Sequence, residues 1–133
     1  MTTASARWVR GGGLRSEASF RNALRGILEE SFGVEVINVR EFDHEGEVFG
    51  RPDQVEIDII IRDGEMIACE IKSSMSRSDM HDFERKVRFY ERMHGREADR
   101  MIVISPMVEA RTQTLAGELG VEVYSHAEDV ESL

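Results

Sequence analysis

Cysteine is almost absent. Cys69 alone occurs in 133 residues, so no internal disulfide can form, which suits a reducing compartment. No apolar run approaches the roughly 20 residues that a membrane-spanning helix needs. The N-terminus carries no apolar stretch of the kind a secretory signal requires, and a cytoplasmic location is expected. Internal repeats and low-complexity segments are absent as well. Lysine is nearly as rare as cysteine: fifteen of the seventeen cationic residues are arginine, and only Lys72 and Lys86 are lysine. Arginine stays protonated in a protein, whereas a lysine can shift its pKa and handle a water molecule. Such scarcity makes each lysine's position informative, and one of them closes the run Glu70-Ile71-Lys72.

The length allows one domain with a substantial core. The composition, 41% apolar and 32% charged, is that of a globular protein. A net charge of −9 argues against generic nucleic-acid binding until it is divided along the chain. Residues 1–25 balance at +4, residues 26–71 at −10, residues 72–100 at +2 and residues 101–133 at −5. The two positive segments flank the densest acidic one, an arrangement that lets a basic rim meet phosphates.

Residues 1–13 end in Gly11-Gly12-Gly13 and read as a flexible segment containing Trp8. Residues 14–125 form the expected domain, and residues 126–133 an acidic, frayed tail. Helical spacing of Phe20, Ala23, Leu24, Ile27, Leu28 and Phe32 predicts a helix capped by Ser16 and stopped by Gly33. At about 100° per residue, Glu17 falls roughly 40° from the centre of that apolar face. It points inward from the first turn, although an acid there also suits the helix dipole. Strands are expected at Val34–Phe42, Gln54–Arg62 and Glu65–Ser73, with Asp63-Gly64 marking a hairpin. A helix capped by Ser78 follows to His94, then a strand at Arg100–Ser105, a helix at Val108–Leu119 and a strand at Val121–Tyr124. The order α-β-β-β-α-β-α-β implies an α/β fold in which a mixed central sheet is flanked by helices.

Alternation along a strand puts Glu56 and Asp58 on one face, and Glu70 and Lys72 on one face of the next strand. The hairpin register decides whether these sets meet. A two-residue Asp63-Gly64 loop pairs Asp58 with Cys69 and sends Glu70 to the other side. A three-residue loop ending in a left-handed Gly64 pairs Glu56 with Glu70, and a shared site calls for such an odd loop or a bulge. Clustered carboxylates beside an ammonium are costly without compensation. A hard divalent cation, Mg²⁺ or Mn²⁺, supplies it while lowering the pKa of bound water and neutralising charge on a phosphoryl oxygen.

At these residues the chain resembles the PD-(D/E)XK nuclease superfamily. Asp58 precedes Glu70-Ile71-Lys72, a Glu17-bearing helix stands before them, and the elements follow the restriction-endonuclease-like αβββαβ order. The resemblance spans roughly residues 14–124, and Glu56-Ile57-Asp58-Ile59-Ile60 is also similar to the matching strand of Holliday-junction resolvases. It implies a DNA phosphodiesterase in which Asp58, Glu70 and the Ile71 carbonyl bind Mg²⁺, Lys72 is catalytic and Glu17 is an accessory acid. Lys86 matches a helix position where relatives place a polar or basic group. Asp53 belongs to a literal Pro52-Asp53 pair, but it precedes the strand, and Asp58 is preferred. A member of the same fold that binds nucleic acid or protein without cutting is the rival reading, favoured by the acidic balance.

The remaining residues read as structural. His44, His81, His94 and His126 show no metal-ligand spacing, and Cys69 turns away from Glu70 as a packed thiol. Phe89 falls on the polar side of its helix. With Trp8 it provides the candidate patch for a homodimer, which would bring two sites to a duplex.

Overall fold

The Ser16 hydroxyl accepts the Ser19 N–H at 3.0 Å and starts α1, Glu17–Phe32, which ends at Gly33 with φ 64°. The structure, a computed structural model, describes residues 16–131. After α1 come β1 (Val36–Asp43), β2 (Asp53–Arg62), β3 (Glu65–Ile71), α2 (Arg77–His94), β4 (Arg100–Ile104), α3 (Ala110–Leu119), β5 (Val121–Tyr124) and a 3-10 turn at Ala127–Asp129. The expected order of elements is the observed one. The glycine triplet and Trp8 lie outside the described residues. No described helix is long and apolar enough to cross a membrane.

The five strands lie in chain order. The first two pairings are antiparallel, and the last two, whose strands are joined through α2 and α3, are parallel. Central strands covered on both faces need continuous apolar runs. Met66–Cys69 of β3 and Met101–Ile104 of β4 supply them, all buried. One face carries Ile60, Ile67, Cys69, Ile71, Ile102 and Ile104 against Leu28 of α1. The other carries Ile57, Ile59, Met66, Ala68 and Val103 against Met80, Phe83 and Val87 of α2 and Leu115 of α3.

Four expectations are corrected. The β2–β3 loop has two residues: Arg62 pairs with Glu65 across Asp63 and Gly64, whose φ angles are 53° and 82°. Both values are positive, as a type I′ hairpin requires, and Asp-Gly is well suited to that turn. The helix cap is Ser76 rather than Ser78, because Ser76 and Asp79 form a reciprocal capping box. Phe89 is not exposed: only 4% of its surface is accessible, and it packs with Val48, Val55 and Phe49. The cover comes from residues 44–52, which leave the sheet between β1 and β2 and fold over α2. Finally, residues 126–131 are packed rather than frayed, since Ala127 and Val130 are buried in the α1-side core.

That excursion is itself tightly built. Gly46 sits at φ 71°, and a Cβ there would lie 2.8 Å from the Arg51 backbone nitrogen. Asp43 is buried and accepts the Val48 N–H at 2.8 Å. Burial opposes its ionisation, but the backbone amides of Val48, Glu47, Gly46 and Glu45 outweigh it and hold its carboxyl below the usual carboxylate range.

Candidate active site

The β2–β3 ladder stops before either strand ends. Its last pair is Asp58 with Cys69. Past that point β2 continues back to Asp53 along β1, while β3 continues to Ile71 along β4. The sheet therefore forks. A polar cavity of about 200 Å³ opens there, lined by Asp58, Glu56, Glu70, Ile71, Lys72 and Lys86, with Arg21 of α1, Asn38 of β1, Ile57 and Cys69 completing it.

The two-residue hairpin sends Asp58 and Glu70 to opposite faces, which corrects the expectation that a shared site needs an odd loop. The alternation rule assumes a continuous ladder. Where the strands separate, side chains from both faces can border the same gap. Asp58 enters with α1, and Glu70 and Lys72 enter with α2.

Each carboxylate already has cations of the chain beside it. Asp58 is 5% exposed, accepts Asn38 Nδ2 at 3.0 Å and faces Arg25 Nη2 at 3.4 Å. Glu70 takes Lys86 Nζ at 3.1 and 3.4 Å to its two oxygens. Burial pushes the Glu70 carboxyl above its ordinary value, against the opposing charges of Lys86 and Lys72, with Asp58 adding to the rise. Between the acids, burial drives the Cys69 thiol far up, and the charges of Asp58 and Glu70 add to this. It stays a neutral packed group. Lys72 is half-buried; its backbone N–H donates to the Ile104 carbonyl at 3.2 Å, and its side chain makes no hydrogen bond or ion pair among the described residues.

The other expected residues separate by position. Glu56 lines the cavity and pairs with Arg40 at 2.8 Å. Glu17 does not line it. Its carboxylate accepts the Ser73 N–H at 2.9 Å and the Ser73 hydroxyl at 2.7 Å, holding the chain beside Lys72. Asp53 is the first residue of β2, away from the fork, and pairs with Arg51 at 3.3 Å. Sequence reasoning missed Arg21, Arg25 and Asn38. A signal for the arginines existed, because residues four apart share a helix face and Glu17 had already been placed inward. Asn38 stands directly opposite Asp58 in the β1–β2 register.

Among the described residues no group of three or more His, Cys, Asp or Glu side chains is placed to hold a metal ion. The histidines lie elsewhere, with His94 on Glu41 at 2.6 Å and His126 near Asp129 at 3.3 Å. The oxygen donors bordering the fork are the carboxylates of Asp58, Glu70 and Glu56, with Ile71 beside them. An all-oxygen set of this size fits a Mg²⁺-like ion that keeps several waters, provided that Arg25 and Lys86 yield.

A five-stranded mixed sheet between helices, with Asp, Glu-x-Lys at a forked hairpin, defines a restriction-endonuclease-like nuclease fold. Residues 53–122 match the PD-(D/E)XK nuclease superfamily, and the chain belongs to it. Residues 1–52 match a second family, described as a protein of unknown function. Among solved structures, EndoMS in apo form is similar at a TM-score of 0.58 and 18% identity, over 82% of this chain and 45% of that one. A repair endonuclease from Pyrococcus abyssi is similar at a TM-score of 0.55 and 14% identity, over 85% of this chain and 48% of that one. The chain thus spans less than half the length of either, and at these identities the likeness concerns the fold. No curated protein matches the sequence.

Proposed function

We propose that this domain is a divalent-metal-dependent endonuclease acting on DNA phosphodiester bonds. The observation that carries the reading is that Asp58, Glu70, Ile71 and Lys72 border one cavity at the fork, in a chain of nuclease family. Asp58, Glu70 and the Ile71 carbonyl would hold the ion. Bound there, Mg²⁺ or Mn²⁺ would acidify a water and neutralise charge on a phosphoryl oxygen. Lys72, half-buried and free of ion pairs among the described residues, orients the attacking water and stabilises negative charge as it develops. Glu56 adds negative potential at the rim. Both structurally similar proteins span about twice this length, and one is named as a repair endonuclease, which supports a DNA substrate.

A homodimer would present two such sites to a duplex, but its suggested patch is diminished, because Phe89 is buried. A non-cutting member of the fold is the second reading. One observation favours it: Asp58 and Glu70 are each satisfied by the chain's own cations.

Cleavage of single-stranded, duplex and branched oligonucleotides with Mg²⁺ or Mn²⁺ separates the two. Lys72→Arg keeps the charge but is planar and cannot be deprotonated, so cleavage is expected to fall by at least about a hundredfold with the fold intact. Full activity in Lys72→Arg would reduce Lys72 to a counter-ion. Mn²⁺ titration calorimetry that shows the same binding in wild type and Asp58→Ala would remove the metal site.

A further inference from the structure

Four cationic side chains make no hydrogen bond or ion pair among the described residues: Arg21, Lys72, Arg77 and Arg111. Arg77 and Arg111 are exposed, where water serves as partner. Arg21 and Lys72 are half-buried, and both line the fork cavity. Residues 1–15, which precede α1, contain no Asp or Glu and can offer Arg21 no carboxylate side chain. A partly desolvated guanidinium without an anion is costly, and it keeps its paired donors for a ligand.

Its placement is enforced from both sides. Glu17, Arg21 and Arg25 follow one another at four-residue spacing on α1, which puts them on one face about 6 Å apart along the axis. Glu17 is fastened to Ser73, directly after Lys72, at 2.9 and 2.7 Å. Arg25 faces Asp58 at 3.4 Å. The two flanking contacts tie this helix face to the two arms of the fork. Arg21, between them, borders the gap opposite Lys86 of α2.

We propose that Arg21 is the substrate-phosphate anchor of this site. Its guanidinium donates two parallel N–H bonds to the non-bridging oxygens of a DNA backbone phosphate, and the Glu17–Ser73 contact braces the helix that presents it. The proposal rests on the DNA-hydrolysis reading for its ligand class. It goes further by naming a binding residue that the Asp, Glu-x-Lys pattern does not contain. Guanidinium matches phosphate geometry in a way that ammonium does not.

The test is fluorescence-anisotropy binding of single-stranded and duplex oligonucleotides to the full chain across a salt series, in Ca²⁺ and in chelator. Arg21→Gln is expected to weaken binding about tenfold and to lower the slope of log K against log [salt] by about 0.7–0.9, one phosphate contact. Arg21→Lys is expected to keep the slope and recover only part of the affinity. Arg111→Gln removes the same charge from α3 and is expected to change neither. Equal effects of Arg21→Gln and Arg111→Gln would reduce Arg21 to net charge and overturn the proposal, as would a wild type that binds no oligonucleotide. Failure of the broader reading looks different: oligonucleotides bound with the Arg21 effect intact but never cut would remove hydrolysis and leave the anchor. Normal cleavage by Arg21→Gln with unchanged affinity and slope would remove the anchor and leave hydrolysis.

Discussion

Replacing Lys86 with methionine isolates the charge that keeps Glu70 tolerable. The two side chains are 14% and 16% exposed and 3.1 Å apart. Removing one partner of a buried pair costs about 3–5 kcal/mol, because the other charge is stranded. Glu70 borders a cavity that water can enter, so the lower end applies, about 3 kcal/mol. For a domain of this size that corresponds to a fall in melting temperature of about 10 °C. Burial already raises the Glu70 carboxyl above its ordinary 4.5, with Lys86 the largest opposing influence. Without Lys86 it rises further. A carboxyl raised in the folded state binds protons more readily there than in the unfolded chain, so stability falls as pH climbs from the unfolded value to the folded one. The deficit of Lys86→Met should therefore be full above the folded pKa and shrink as pH drops towards 4.5. Urea unfolding at several pH values reads it directly. The double variant Lys86→Met/Glu70→Gln should recover most of the loss. A deficit that ignores pH and persists with Gln at position 70 would refute the charge argument. It would show instead that Lys86 acts through the packing of its alkyl stem.

Gly46→Ala should cost about 2–4 kcal/mol, combining left-handed backbone strain with collision against Arg51. Gly33→Ala, at φ 64° with nothing within 4 Å, should cost only about 1 kcal/mol. Equal losses in chemical denaturation would mean that the Arg51 backbone does not constrain the 44–52 excursion. Phe89→Ala should destabilise by about 3 kcal/mol, whereas an exposed phenylalanine would change stability by no more than about 0.5 kcal/mol.

Most elements were legible because their signals are local. The apolar spacing from Phe20 to Phe32 and the Gly33 stop specify α1, and the continuous apolar strands specify a sheet covered on both faces. The hairpin was legible too, since Asp63-Gly64 is a strong two-residue turn signal. The longer loop was favoured only because the site was assumed to lie on an unbroken ladder. Where pairing stops is decided by how β2 is drawn to β1 and β3 to β4, and no motif within the hairpin carries that information. Phe89 failed for a related reason. Its cover comes from Val48 and Phe49, some forty residues earlier in the chain, and a helical wheel of α2 contains no trace of them.

The cost of clustering Asp58 and Glu70 had suggested a metal as the necessary compensation. The structure supplies another answer, because Arg25 and Asn38 serve Asp58 and Lys86 serves Glu70. Charge balance alone therefore does not demand an ion. What distinguishes the site from an ordinary ion-pair network is the pair of cations left over. Arg21 and Lys72 are half-buried at one cavity and their side chains make no hydrogen bond or ion pair among the described residues, so their donors stay open to a ligand even though the Lys72 charge favours the ionised Glu70. An anion entering from outside would give both side chains the direct partner that they lack among the described residues. The chemistry at the fork is thus more legible from its unspent positive charge than from its acids.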